Sequence, residues 1–171
     1  MKKYVLLSVF FLFFFVSCTT TETLLTNESP EGGQINFLRP FSVKTDSSFF
    51  KEVILDVTVH IKDGEVFSDP VLNYTVIQPI YADFNLDNLS VGFICDDLKV
   101  VPLQKKLLYK NILKNKQLEV RYTSTIDKDA FTVLLENREV CNVLFTDSDS
   151  YEEVISSKDL KERLFKLTIV M

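Results

Sequence analysis

The sequence predicts a mainly β fold, a β-sandwich or partly open barrel with one or two short helices, and an α+β arrangement as the alternative. Three observations point there. Residues 53–62 alternate, with Val53, Leu55, Val57, Val59 and Ile61 on one side and Asp56, Thr58, His60 and Lys62 on the other, the period-two signature of a half-buried strand. Asp63 and Gly64 follow at once, and both residue types accept the positive φ that a two-residue hairpin turn demands. Further short apolar runs recur at close spacing with few helical stretches between them, a pattern of sandwiches and barrels.

The remaining elements follow in order. After the turn, Glu65 to Phe67 can pair back and Pro70 interrupts. Leu72, Tyr74 and Val76 then alternate with Asn73 and Thr75 until Pro79 stops the run. Leu89, Val91, Phe93 and Cys95 form a face opposite Ser90 and Gly92, and Leu118, Val120, Tyr122 and Ile126 oppose Glu119, Arg121, Thr123 and Thr125. Asp127 is placed to cap a helical turn through Ala130, Phe131, Leu134 and Leu135. Ser157 is placed to cap Lys158 to Arg163, after which Leu164 to Val170 reads as a closing strand.

With 171 residues the chain holds one ordinary domain and a short appendage. Its 46% apolar and 25% charged residues exclude collagenous, disordered and polytopic membrane classes. Nineteen basic against 24 acidic residues, a net charge of −5, argue against duplex nucleic acid as a partner. One His, no Trp and four Gly remove the parts of many catalytic schemes. No internal repeat is visible.

The first eighteen residues have the anatomy of a signal peptide: Lys2 and Lys3, an apolar run from Tyr4 to Val16 broken only by Ser8, then Ser17 and Cys18. As a helix the run spans roughly 20 Å, short of the ~30 Å hydrocarbon core of a bilayer. Phe15, Val16, Ser17 and Cys18 resemble the lipobox of bacterial lipoproteins, with Phe15 where that family usually carries Leu. The resemblance covers residues 1–18 alone. It implies diacylglyceryl on the Cys18 sulfur, cleavage after Ser17 and acylation of the new amine, a multi-chain anchor that holds stably. In lipoproteins of this kind from enterobacteria an Asp at the next position retains the protein in the inner membrane, so the resemblance, with Thr19 there, implies the outer membrane, on its periplasmic or its surface side. Cleavage removes Lys2 and Lys3, leaving 17 basic and 24 acidic residues and a net charge of −7. The expected organisation is a signal peptide at 1–17, a lipidated N-terminus and flexible tether at 18–34, rich in Thr, Asn, Glu and Gly, and one β-rich domain at 35–171.

Few residues are candidates for chemistry. Cys95 and Cys141 are available for a disulfide in an exported chain, or are separately buried thiols. His60 lies on the polar side of its strand near Asp56 and Thr58, yet no G-x-S-x-G accompanies it, so a solvated strand histidine competes with a hydrolytic relay. One His and two distant Cys give no zinc set, and no cofactor motif occurs. Asp147, Asp149, Glu152 and Glu153 are crowded, but Lys158 stands at the twelfth position of the calcium loop they would need. Asn27, Asn73 and Asn88 open N-x-S/T triplets, idle in a bacterial setting.

Between Leu98 and Leu118 six lysines, Lys99, Lys105, Lys106, Lys110, Lys114 and Lys116, occur without an acid. They form a candidate anion-binding patch for headgroups, envelope polyanions or an acidic envelope or host protein, with Leu107, Leu108, Ile112 and Leu113 expected to pack inward; a merely solvated face is the alternative. The functional expectation is a lipid-anchored envelope protein acting as a binding module or structural and assembly subunit. An envelope hydrolase, or an inhibitor of one, is the alternative.

Overall fold

A computed structural model describes residues 22–148 and 151–171. Two antiparallel sheets pack face to face as a sandwich, without closing into a barrel. The larger sheet comprises β1 (Leu24–Glu28), β2 (Gln34–Lys44), β3 (Glu52–Lys62), β5 (Val71–Pro79), β9 (Gln117–Thr125) and β8 (Gln104–Ile112) in the spatial order β1-β2-β3-β5-β9-β8, with the short β4 (Glu65–Val66) beside the end of β3. The smaller comprises β6 (Ser90–Cys95), β7 (Leu98–Val100), β10 (Cys141–Thr146) and β11 (Glu152–Ile155), ordered β11-β10-β6-β7. Helices α1 (Lys128–Glu136) and α2 (Lys158–Val170) complete the chain. Among the described residues no helix is long and apolar enough to cross a membrane.

β3 is the strand its alternation predicts: Val53, Leu55, Val57, Val59 and Ile61 are buried and their neighbours half-buried. Asp63 and Gly64 turn with φ of 54° and 82°, returning the chain as β4. Tyr74 and Val76 of β5, Val120 and Tyr122 of β9, and Leu89, Val91 and Phe93 in and before β6 are buried on the core side. Two aromatic groups lock the interior: Tyr74 and Tyr122 pair at 5.3 Å between ring centroids, and Phe50 meets Phe145 edge-on at 5.6 Å.

Asp127 caps α1 by accepting from the amides of Asp129 and Ala130, and Ser157 caps α2 by accepting from that of Leu160. The end of the chain differs from expectation. Residues 164–170 continue α2 instead of forming a strand, because Leu160, Leu164 and Leu167 recur at helical spacing and are all fully buried against the sandwich. The helix covers the inner side of β1 and β2 and touches β10.

The fold also begins earlier than the expected boundary at residue 35. Leu24–Glu28, within the anticipated tether, is β1, paired with β2 from Leu24 opposite Leu38 to Glu28 opposite Gln34. As an edge strand β1 buries little, so its composition is polar; only Leu24 packs on the core. The connecting turn needs its glycines: Gly33 has φ of 80°, and a Cβ there would sit 2.3 Å from the Ile61 carbonyl oxygen. β2 carries a bulge between Leu38 and Phe41 that accommodates Pro40 and keeps both flanking side chains inward.

If α2 is one amphipathic helix to its end, Leu164→Ala should destabilise the domain by roughly 2–5 kcal/mol, while Phe165→Ala on the solvent side should cost under about 1 kcal/mol. Urea unfolding of the two variants checks this. Equal costs at both positions would contradict the helical face.

Candidate functional site

The lysine-rich segment forms the last strand of the larger sheet. β8 turns into β9 through residues 113–116, where the Leu113 amide donates to Gln117 O at 2.8 Å and Lys116 adopts φ of 59°. Among the described residues β8 pairs only with β9, and all nine of its residues are exposed. A register break between Leu107 and Tyr109 places Leu108 in a bulge. Lys105, Leu107, Lys110 and Ile112 stand opposite the core-facing positions of β9, from Ser124 to Leu118. Of the four side chains expected to pack inward, Leu107, Leu108 and Ile112 are 44, 49 and 65% exposed and Leu113 is half-buried; Tyr109 is 41% exposed as well. The smaller sheet and the helices leave this margin uncovered, so inward-pointing positions on β8 still meet solvent.

The six lysines do not form one patch. Lys99, on β7 of the smaller sheet, pairs with Glu152 at 2.6 Å. Lys105 is structural: its Nζ donates to the carbonyls of Leu89, at 2.9 Å, and Asp87, and lies 4.9 Å from the centroid of the Tyr122 ring. Tyr122 donates its hydroxyl to Asp87 Oδ1 at 2.7 Å, and Lys110 approaches the other oxygen of that carboxylate at 3.8 Å. Burial first, and the hydrogen bond and charge of Asp87 next, push the Tyr122 phenol far above its usual range. Lys106, on the outward face of β8, and Lys114 and Lys116, in the turn, have no ion pair among the described residues. A shallow depression of about 230 Å³ beside Lys106 is lined by Val71, Gln104, Lys105, Thr123, Ser124 and Thr125.

Other candidates have structural surroundings. Cys95 and Cys141 stand directly opposite each other on β6 and β10 and are bonded to each other. His60, on the outer face of β3, contacts Gly32 O through Nε2 at 2.9 Å and packs edge-on against Phe67. Its neighbour Asp56 is engaged elsewhere, bound by Arg121 Nη2 at 2.6 Å and Asn73 Nδ2 at 2.8 Å. Of the acidic cluster, Glu153 accepts from Thr45 and Tyr151, Glu152 pairs with Lys99, and Asp147 accepts from the Tyr151 amide. Asp149 lies outside the described residues, as do residues 1–21 with Cys18.

Sequence reasoning missed Asp87, the hub joining Tyr122, Lys105 and Lys110. The available signal was Tyr122 itself: a tyrosine in the inward register of a strand needs a partner for its hydroxyl. No protein-family model, no curated protein and no solved structure matches the chain.

Replacing Cys95 and Cys141 by Ala together should lower stability by up to about 4 kcal/mol, the chain-entropy value for closing a loop of this length. Denaturant melts measure the loss; an unchanged midpoint, or two free thiols in protein purified without reductant, would contradict the bond. A second expectation concerns pH. Desolvation holds the Lys105 ammonium below its usual 10.5, with Asp87 opposing the shift. The folded chain thus loses this proton before the unfolded chain does, and between the lowered value and 10.5 this group's contribution to stability rises with pH. In melts from neutrality to about pH 10, where unfolded tyrosines begin to ionise, wild type should gain stability relative to Lys105→Met; a difference independent of pH would contradict the shift.

Proposed function

We propose that the chain is a bacterial envelope lipoprotein, anchored through Cys18, whose sandwich is a binding module that takes up an extended acidic segment of a partner protein along β8. The observation that carries the reading is the open edge: nine consecutive exposed residues paired on one side only, with four large apolar side chains among them. A strand edge offers a row of backbone donors and acceptors to any extended chain, and alternate side chains supply selectivity.

Charge selects the partner. β8 and its turn carry no acid, and Lys106, Lys114 and Lys116 there have no ion pair among the described residues, so an acidic strand is favoured. Pairing with a second copy is opposed. In a fully overlapping antiparallel β8–β8 ladder Lys106, on the outward face, would be set opposite Lys110, on the inward face, so two copies cannot share a regular register along the whole strand. The bulge at Leu108 works in the same direction by interrupting a regular edge. The lipid, in this reading, fixes where the module works and raises its local concentration beside membrane-bound partners.

Two measurements test the halves separately. Metabolic labelling with palmitate should tag wild type and leave Cys18→Ala untagged and released from the membrane fraction; an untagged wild type overturns the anchor. A photo-crosslinking residue at Leu108, in cells, should give a discrete adduct that Lys106→Glu abolishes, whereas the same residue at Thr58 on the outer face should not. No adduct at Leu108, or one indifferent to Lys106→Glu, overturns the binding edge.

A further inference from the structure

The described chain begins at a clamped point. The Thr23 carbonyl accepts from the Arg39 amide at 3.0 Å and from Arg163 Nη1 at 3.2 Å, and the Thr23 hydroxyl accepts from Lys166 Nζ at 2.8 Å. Arg163 also donates to Arg39 O at 2.9 Å and lays its guanidinium over Phe41, 4.9 Å from the ring centroid. Two cations of α2 thereby tie the entry of the chain to that helix, next to the edge strand β1.

Chain length turns this clamp into an orientation. Five residue steps separate Cys18 from Thr23, and at about 3.5 Å per step they reach at most about 18 Å. A lipid on Cys18 holds that residue at headgroup level, so Thr23 and the helix bound to it stay within that distance of the membrane. The solvent side of α2 suits such a position. Phe165 and Ile169 are 46 and 66% exposed, and Arg138 lies over the Phe165 ring at 5.5 Å. α2 carries Lys158, Lys161, Arg163 and Lys166 against Asp159 and Glu162, a positive excess on a negative protein, and Glu162 is already paired with Lys166 at 2.9 Å. An exposed aromatic and an exposed aliphatic side chain, with Arg138 over the ring and Lys158 and Lys161 on the same helix, are what an anionic bilayer surface accepts.

We infer that the exposed side of α2, around Phe165 and Ile169, rests on the bilayer that holds the lipid, and that β8 is carried on the side of the domain remote from it. β1 and β8 are the two opposite edges of the larger sheet. Five strand spacings of about 4.8 Å separate them, roughly 24 Å across the sheet. The clamp thus gives the domain a proximal edge for the membrane and a distal edge for the partner. The inference rests on Cys18 being the lipidated residue.

The test uses the full-length protein, processed and acylated in a bacterial host, in vesicles of phosphatidylethanolamine and phosphatidylglycerol containing a headgroup nitroxide lipid. Phe165→Cys and Leu108→Cys each add one free thiol for a small fluorophore, since Cys18 is acylated and Cys95 is bonded to Cys141. Quenching at position 165 should be several-fold greater than at position 108. Equal quenching, or stronger quenching at 108, in protein whose mass shows acylation overturns the orientation while leaving the anchor standing. Protein that carries no acyl chains in the same mass spectrum overturns the anchor, and the orientation with it.

Discussion

The structure depends on covering one broad apolar face. The larger sheet presents inward-facing valines, leucines and aromatics from β2 to β9, and the elements above it are narrower than it is. The four-stranded sheet covers the middle, and α2 covers the β1–β2 end. At the other end Leu89 and Asp87, on the loop before β6, come down over Tyr74 and Tyr122. Nothing reaches β8. Burial of side chains such as Val120 and Tyr122 is worth roughly 1.5–3 kcal/mol each, which explains why the cover ends where the apolar inward positions of β9 are shielded and goes no farther.

The margin is closed by chemistry suited to a boundary between core and water. Tyr122 is 1% exposed, so its hydroxyl must find a partner, and the Asp87 carboxylate supplies one from the solvent side. Lys105 lays itself over the same ring while its ammonium reaches two loop carbonyls. Lysine is unusual as a structural element because desolvation works against its charge; here backbone acceptors and Asp87 offset that cost. The loop is therefore held to β8 and β9 by polar contacts, and the outward side of β8 remains free for a partner strand.

Legibility in the sequence followed burial. Strands with one wet and one dry face, β3, β5, β6 and β9, show clean alternation and are readable directly. β2 is not, because Pro40 and its bulge break the period and Asn36 sits at a buried position. β1 buries only Leu24 and resembles a linker in composition. The tail at 164–170 contains residues compatible with either period, and the spacing of Leu160, Leu164 and Leu167 decides for helix once the cap at Ser157 is continued past Arg163. For the site, the sequence located the basic segment but not its division. Charge counts along a chain cannot show that Lys99 belongs to another sheet or that Lys105 turns toward a tyrosine. They also cannot show that Leu107, Leu108 and Ile112 lack anything to pack against, which is a property of the width of the cover.

The central claim is that β8 is an edge paired on one side and open on the other. Residue-resolved amide hydrogen exchange on the dilute, monomeric protein addresses it most directly. The account predicts that the β8 amides not donating to β9 exchange rapidly, while those of β3 and β5 are protected up to the free energy of global unfolding. Uniform, core-level protection along all of β8 in the monomer would mean that the edge is already covered, and would contradict the account.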